Sequence, residues 1–263
     1  SMTSSMTHGA TLCPLPYFSA KSSLACINQE RITAMNGVPT MFIAMFNHPD
    51  YRKTDFSYMR TGIMAGAGCP PELMRRAAQP DEMNMYGIVS VYGQTECAPG
   101  NTMSAWTDSL EVRTDTVGYA FRHVQCKIID PETGEEMGYG EEGEICISGP
   151  LVMMGYLGDD AETAQTIRLH DDGKLWLHTG DIGYLSDDGF AYFAQRLKRM
   201  IISSGYNIYP THLESIINSH EGVLTSIIIG IDHPYKGQVP KAFIVLKPGY
   251  RPGKRLEREI REL

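Results

Sequence analysis

The first ninety residues alternate strand-like and helix-like segments, and this alternation constrains the fold more than any other feature. The strand-like runs are ATLCPLP, RITAM, RTGIMA and YGIVSVY. The helix-like segments between them are residues 22–29, MFIAMF and PELMRRAA. A β-α-β-α-β-α-β order predicts a parallel sheet covered by helices. Because ligands of such sheets bind outside the carboxyl ends of the strands, the candidate loops are NGVPT, AGAGC and YGQTE.

Short strands separated by turn residues begin near residue 115. HVQCKIID, EGEICISG and a hairpin of IGYL and FAYFA predict an antiparallel, barrel-like subdomain. After QRLKR, a β-α-β-β order predicts a small α+β unit that runs into a charged helix. The expected fold is an α/β domain with a parallel, helix-covered sheet, then an antiparallel β-barrel subdomain and the start of a small α+β C-terminal domain. The expected domain boundaries are 1–114, 115–195 and 196–263.

Composition excludes several classes of function. The chain has 31 acidic and 23 basic residues, a net charge of −8, and no basic face. A role based on attraction to nucleic acid or anionic lipid is therefore not expected. No apolar run reaches the ~18 residues of a membrane span. The six cysteines form no CxxC pair, and no HExxH occurs, so we expect a reducing, cytoplasmic location and no zinc site.

The stretch WLHTGDIGYL places Asp181 between Gly180 and Gly183. Aspartate and glycine are typical of tight turns, so Asp181 is predicted to lie in a turn. A carboxylate with glycines beside it can also approach a ligand closely. Taken alone, this stretch favours the turn and leaves the ligand contact open.

Two strand-end loops have the same ambiguity. In YGQTE, Thr95 and Glu96 could contact phosphate and Mg²⁺, or could simply cap a helix. In AGAGC, bare backbone could accommodate a flat base with Tyr92 against it, or could simply form a tight turn. Neither loop alone decides between the two interpretations.

Six motifs in a fixed order favour the ligand-binding interpretation. They are NGVPT, AGAGC, YGQTE, GEICISGP…MGY, LHTGD and RLKRMIISSGYNIYPTHLE. Together they resemble the core motifs of the adenylate-forming superfamily, which includes acyl-CoA synthetases, firefly-type luciferases and adenylation domains of peptide synthetases. NGVPTMFIAM and AGAGCPPELMRR look most like the fatty-acid and medium-chain acyl-CoA synthetase branch.

The resemblance implies a nucleotide site. Adenine would lie along a glycine-rich loop and Tyr92, the α-phosphate would meet Thr95, and Glu96 would hold Mg²⁺. Asp181 would accept hydrogen bonds from both ribose hydroxyls, and Arg196 would contact the nucleotide. The implied nucleotide-binding residues are Gly66, Ala67, Gly68, Tyr92, Gly93, Thr95, Asp181 and Arg196, and the implied catalytic residues are Thr95, Glu96 and Arg196.

The resemblance also implies an acyl and CoA side. The residues expected there are Asn36 and Gly37 for the acyl group, and Ser203, Ser204 and Gly205 for the pantetheine channel. Arg199 stands at the position expected to be the hinge of the small domain, where the family usually has Asp or Lys. Asn36 stands where an aromatic residue or His is frequent in the family.

The sequence therefore predicts part of an ATP-dependent acyl-CoA synthetase that uses ATP, Mg²⁺, CoA and a carboxylic acid, most simply a fatty acid. The family's upstream phosphate loop and its late catalytic lysine are not found in the chain. We accordingly expect these 263 residues alone to be inactive. The alternatives are an enzyme that loads an amino or aryl acid onto a carrier protein and a non-catalytic folded fragment. A dinucleotide-dependent oxidoreductase is less favoured because the first strand is not followed by GxGxxG. The acid and the oligomeric state are left open.

Overall fold

The computed structural model describes residues 2–204 and 206–262. The helices are α1 (Met2–Thr7), α2 (Ala20–Glu30), α3 (Pro39–Phe46), α4 (Pro71–Ala78), α5 (Leu110–Asp115), α6 (Asp160–Thr166), α7 (Pro210–Asn218) and α8 (Lys254–Arg261). The strands are β1 (Ala34–Gly37), β2 (Thr61–Ala65), β3 (Gly87–Tyr92), β4 (Thr102–Met103), β5 (Tyr119–Ala120), β6 (Gln125–Ile129), β7 (Gly143–Ser148), β8 (Ile167–Leu169), β9 (Leu175–Leu185), β10 (Ala191–Arg196), β11 (Ile201–Ser203), β12 (Tyr206–Ile208), β13 (Val223–His233) and β14 (Gly237–Leu246).

The chain divides into two compact units. The first contains the described residues up to Cys126, together with Ile147–Leu177 and Ser186–Tyr192. The second contains Lys127–Cys146, His178–Leu185 and the described residues from Phe193 onward.

The parallel sheet of the first unit has the strand order β1-β2-β3-β4-β5. Strands β1, β2 and β3 are parallel, whereas β4 and β5 add an antiparallel edge. Helices α2, α3 and α4 begin with local signals that the sequence contains. The Ser19 hydroxyl accepts the Ser22 N–H at the start of α2, and Pro39 and Pro71 occupy the first turns of α3 and α4. The predicted parallel, helix-covered sheet is confirmed.

One predicted strand is wrong. Residues 10–16 have irregular backbone and pair with no strand. Pro14 and Pro16 have no backbone N–H to donate to a ladder, so this apolar run cannot pair regularly. The alternating order therefore begins with α2 and β1.

Methionine fills much of the core of the first unit. Six methionines are almost completely buried there, beside Phe42 and Leu24: Met45, Met59, Met64, Met74, Met83 and Met85. Unbranched thioether side chains fill irregular gaps between helices and sheet.

The antiparallel strands form two further sheets. One has the order β10-β9-β7-β6, with β8 paired to β9. In it β9 and β10 are neighbours joined by a short turn, which confirms the predicted hairpin. The other sheet, in the second unit, has the order β12-β11-β14-β13. The sequence analysis did not predict β12, because three residues are too few for a visible periodicity.

A buried arginine links α5 to the start of β3. The guanidinium of Arg113 donates to the carbonyl oxygens of Ile88 at 2.7 Å, Tyr86 at 2.9 Å and Asp108 at 3.0 Å. One side chain therefore supplies hydrogen-bond donors to three carbonyl groups.

We predict that Arg113→Met lowers the free energy of unfolding of the 263-residue chain by about 2–4 kcal/mol, because each buried carbonyl left unsatisfied costs about 1–3 kcal/mol. Urea unfolding monitored by circular dichroism measures the loss. Arg122→Met is the matched control, because Arg122 is exposed. A loss for Arg113→Met no larger than that of the control would contradict the prediction.

Candidate functional site

Three strand ends of the parallel sheet meet at one edge. Gly37 of β1 lies opposite Met64 of β2, and Ala65 of β2 lies opposite Val91 of β3. Since parallel strands point the same way, the loops that follow them share this edge. The structure thus brings together the loops predicted from NGVPT, AGAGC and YGQTE.

The glycine-rich loop after β2 is open to solvent. Gly66, Ala67 and Gly68 are all exposed, and a Cβ on Gly68 would meet nothing within 4 Å. Tyr92, at the end of β3, is 8% exposed. The adenine contacts assigned to these four residues stay predictions.

The YGQTE loop turns sharply because Gly93 has no side chain. A Cβ at Gly93 would lie 2.1 Å from the Pro99 carbonyl oxygen, so only glycine fits this close approach. Thr95 and Glu96 follow in a short 3₁₀ turn, Thr95–Cys97. Thr95 is exposed and Glu96 is partly exposed, so both can reach a ligand at this edge.

A tyrosine holds the Glu96 carboxylate. The Tyr156 hydroxyl donates to Glu96 Oε1 at 2.8 Å, and the Met153 N–H donates to the Glu96 carbonyl at 2.8 Å. The hydrogen bond to Glu96 raises the pKa of the Tyr156 phenol above its ordinary value, and desolvation adds to the shift. The sequence analysis assigned no role to Tyr156, although MGY was part of a quoted motif. One fixed, partly exposed carboxylate suits Mg²⁺, which usually takes one or two protein carboxylates beside phosphate oxygens and water.

Asp181 lies within a strand, and the prediction of a tight turn is wrong. Strand β9 continues from Leu175 to Leu185. Gly180 has φ +67°, so a left-handed residue is inserted in the strand, as in a β-bulge. This bulge explains why the sequence looked like a turn.

The Asp181 carboxylate faces an arginine. The Asp181 side chain is 3% exposed, and its Oδ1 lies 3.2 Å from Nε of Arg196 at the end of β10. The Arg196 side chain is 63% exposed. A buried carboxylate beside an accessible guanidinium can supply a hydroxyl-bearing ligand with both an acceptor and a cation.

Glu144 is a buried acid that the sequence analysis missed. One of its oxygens accepts the Gly180 N–H at 2.9 Å, and the other lies 2.8 Å from His178 Nδ1. The ligand atoms of Glu144, Cys146 and His178 lie within 4.8 Å of one another. Both carboxylate oxygens are already hydrogen bonded, which favours a structural role over a metal site. EGEICISG looks like an ordinary strand, so no sequence signal indicated this contact.

The residues predicted for the hinge and the pantetheine channel lie in the second unit. Arg199 Nη2 is 2.5 Å from Glu214 Oε1, and its side chain contacts the small sheet. Ser203 pairs with Tyr206 across a tight hairpin, and Ser204 has φ +54°. Gly205 lies outside the described residues. The structure does not test the hinge or the channel role.

Asn36 and Gly37 form the end of β1, whereas the sequence predicted that they begin the loop after it. The Asn36 side-chain oxygen accepts the Ile63 N–H of β2 at 3.0 Å. This side-chain amide therefore stabilises the sheet, a role that the sequence did not predict. The predicted acyl contact is not tested.

Solved structures show the same architecture. ATP-bound MatB from Rhodopseudomonas palustris is 28% identical and has a TM-score of 0.85, covering 99% of this chain and 49% of that one. o-Succinylbenzoate CoA synthetase from Bacillus subtilis, in complex with its acyl-adenylate intermediate, is 27% identical with a TM-score of 0.81, covering 99% of this chain and 50% of that one. The fold is that of the adenylate-forming enzymes.

The chain belongs to the AMP-binding enzyme family, because residues 1–157 match the AMP-binding enzyme family and 212–263 match its C-terminal domain. An acyl-CoA ligase of Ajellomyces capsulatus is 40% identical over 248 residues, which are 93% of this chain and 41% of that protein. The mitochondrial medium-chain acyl-CoA ligase of Rattus norvegicus is 39% identical over 246 residues, 93% of this chain and 39% of its own length. The chain thus spans about two fifths of these relatives.

We predict that Glu96→Gln lowers the pKa of Tyr156 toward the ordinary tyrosine value of about 10, because the charged acceptor is lost. NMR of the ¹³C-tyrosine-labelled chain measures the titration, with Tyr156→Phe to assign the signal. In the unsubstituted chain the raised pKa stabilises the fold below about pH 10, and this stabilisation disappears as the pH rises through the folded-state pKa. An unchanged Tyr156 titration in Glu96→Gln would contradict the hydrogen bond.

Proposed function

We propose that this chain is part of an ATP-dependent acyl-CoA synthetase. Such an enzyme joins a carboxylic acid to the α-phosphate of ATP, releases pyrophosphate, and then passes the acyl group to the CoA thiol with release of AMP. The observation that supports this most directly is the identity of about 40% over 93% of the chain to acyl-CoA ligases. The ATP and the acyl-adenylate of the two solved relatives support ATP as the nucleotide.

Asp181 and Arg196 are proposed to bind the ribose. The buried carboxylate accepts hydrogen bonds from the two ribose hydroxyls, and Arg196 moves aside or bridges to the nucleotide because its side chain is largely exposed. Charge-assisted hydrogen bonds of this kind are stronger than neutral ones, so they fix the α-phosphate relative to the attacking carboxylate.

Glu96 and Thr95 are proposed to bind the phosphates and their Mg²⁺. The Thr95 hydroxyl donates to an α-phosphate oxygen, and Tyr156 orients the Glu96 carboxylate. Glu96 would hold Mg²⁺, which would neutralise charge on the departing pyrophosphate. The Gly66–Gly68 loop and Tyr92 border the base, and Gly93 permits the turn that presents Thr95.

We propose three further roles for residues of this chain in the same reaction. Asn36 and Gly37 border the acyl group, Ser203, Ser204 and Gly205 border pantetheine, and Arg199 is the hinge. Among the described residues no helix has the length and apolar character to cross a membrane. A cytoplasmic location, and the inactivity of these 263 residues when expressed alone, stay predictions.

The test is the reaction of the complete enzyme that contains this chain. Purified enzyme with ATP, Mg²⁺, CoA and a panel of C4–C16 fatty acids is assayed for acyl-CoA by mass spectrometry, with no carrier protein present. We expect free acyl-CoA with at least one acid. Pyrophosphate release with an amino acid or an aryl acid, without formation of any acyl-CoA, would instead indicate an enzyme that loads a carrier protein.

Asp181 generates a separate prediction about nucleotide choice. The complete enzyme should prefer ATP to 2′-deoxy-ATP by about ten- to hundredfold in kcat/KM, because each hydrogen bond to a charged group contributes ~1.5–3 kcal/mol and ~1.4 kcal/mol is a factor of ten. Asp181→Ala should lower activity with ATP and erase most of this preference. The four measurements form a cycle that separates folding damage from ligand contact. A preference that survives in Asp181→Ala would show that this carboxylate does not contact the ribose.

A further inference from the structure

Glu144 connects β7 to the bulge that precedes Asp181. The Glu144 side chain is 9% exposed, and Gly180, whose N–H it accepts, is the residue directly before Asp181. The acid and the glycine are 36 residues apart in sequence. Glu144 is therefore placed to determine the backbone conformation of the residue before Asp181.

A second contact holds the other side of the bulge. The Thr179 hydroxyl donates to the Ile145 carbonyl at 2.7 Å and accepts the Asp181 N–H at 3.1 Å. Residues 144 and 145 of β7 thus hydrogen bond to residues 180 and 179, and the hydroxyl of residue 179 in turn accepts the N–H of residue 181. Because a bulge leaves a residue outside the regular ladder, its N–H needs a partner of this kind.

His178 fixes the rotamer of Glu144. His178 Nδ1 lies 2.8 Å from Glu144 Oε2, and in the tautomer that carries its proton on Nδ1 the imidazole donates to the carboxylate. With one oxygen on His178 and the other on Gly180, the carboxylate is held at both ends.

We propose that Glu144 is a positioning residue for Asp181: it holds Gly180 in its left-handed conformation and so aims the Asp181 carboxylate at the ribose. This proposal rests on the ribose contact proposed for Asp181. It adds a residue that does not touch the substrate but determines nucleotide selectivity through the backbone.

The first measurement does not depend on function. In the 263-residue chain, NMR-detected hydrogen exchange reports the protection of the Gly180 N–H. Glu144→Leu should accelerate this exchange at least about tenfold, because the acceptor is removed. Glu144→Gln should restore protection, since its amide oxygen can still accept the Gly180 N–H and its NH₂ can donate to His178 Nδ1 in the tautomer that carries the imidazole proton on Nε2. Ile128→Ala, a buried β6 residue, is the control for general loosening and should leave Gly180 protected relative to its neighbours.

The second measurement is nucleotide preference in the complete enzyme. Glu144→Leu should reduce the preference for ATP over 2′-deoxy-ATP to within about threefold, whereas Glu144→Gln and Ile128→Ala should keep it. Ile128→Ala serves because a cavity lowers stability without touching the Gly180 contact. The ratio for the two nucleotides cancels any loss of folded enzyme.

The outcomes separate the two proposals. If the unsubstituted enzyme has no preference, the ribose contact of Asp181 is wrong, and the positioning role of Glu144 is overturned with it. If the unsubstituted enzyme prefers ATP and Glu144→Leu keeps the full preference, only the positioning role is overturned. Unchanged Gly180 exchange in Glu144→Leu overturns the positioning role in the same way.

Discussion

The hydrogen-bond register of the three parallel strands is the constraint on which the first unit depends. Gly37 lies opposite Met64 and Ala65 lies opposite Val91, so the strands end at one edge. A shift of one residue would turn the buried Met64 of β2 toward the other face of the sheet. The same register determines that a glycine-rich loop and the Thr95–Glu96 turn occur side by side. Core packing and the position of the candidate phosphate end are therefore consequences of one pairing.

The candidate site of the second unit depends on a local interruption of regular strand pairing. Gly180 interrupts β9 with a left-handed residue, and the next residue is the buried Asp181. Burying a carboxylate is costly unless it is paired, and Arg196 provides a cation at 3.2 Å. Arg196 is largely exposed, so the pair is accessible from solvent. Glycine adopts this conformation without strain, and a buried acid beside an accessible cation is typical of a functional site.

Local patterns predicted most of the fold, whereas contacts distant in sequence could not be predicted. The apolar runs and proline starts indicated β1, β2, β3 and the helices between them, and the order of motifs indicated the family. The strand predicted at ATLCPLP was wrong because its apolar run was given more weight than its two prolines. Asp181 looked like a turn residue because a bulge and a turn both use glycine with positive φ. Tyr156 and Glu144 act through partners 60 and 36 residues away, and no periodicity reports such pairs.

We propose that the buried carboxylate of Asp181 receives the ribose of the nucleotide. A crystal structure of the complete enzyme with AMP is the measurement that decides this. We expect both ribose hydroxyls to lie within hydrogen-bond distance of the Asp181 carboxylate, about 2.5–3.0 Å, with Arg196 displaced toward the nucleotide. AMP bound with its ribose away from Asp181, and the Asp181–Arg196 pair unchanged, would contradict it.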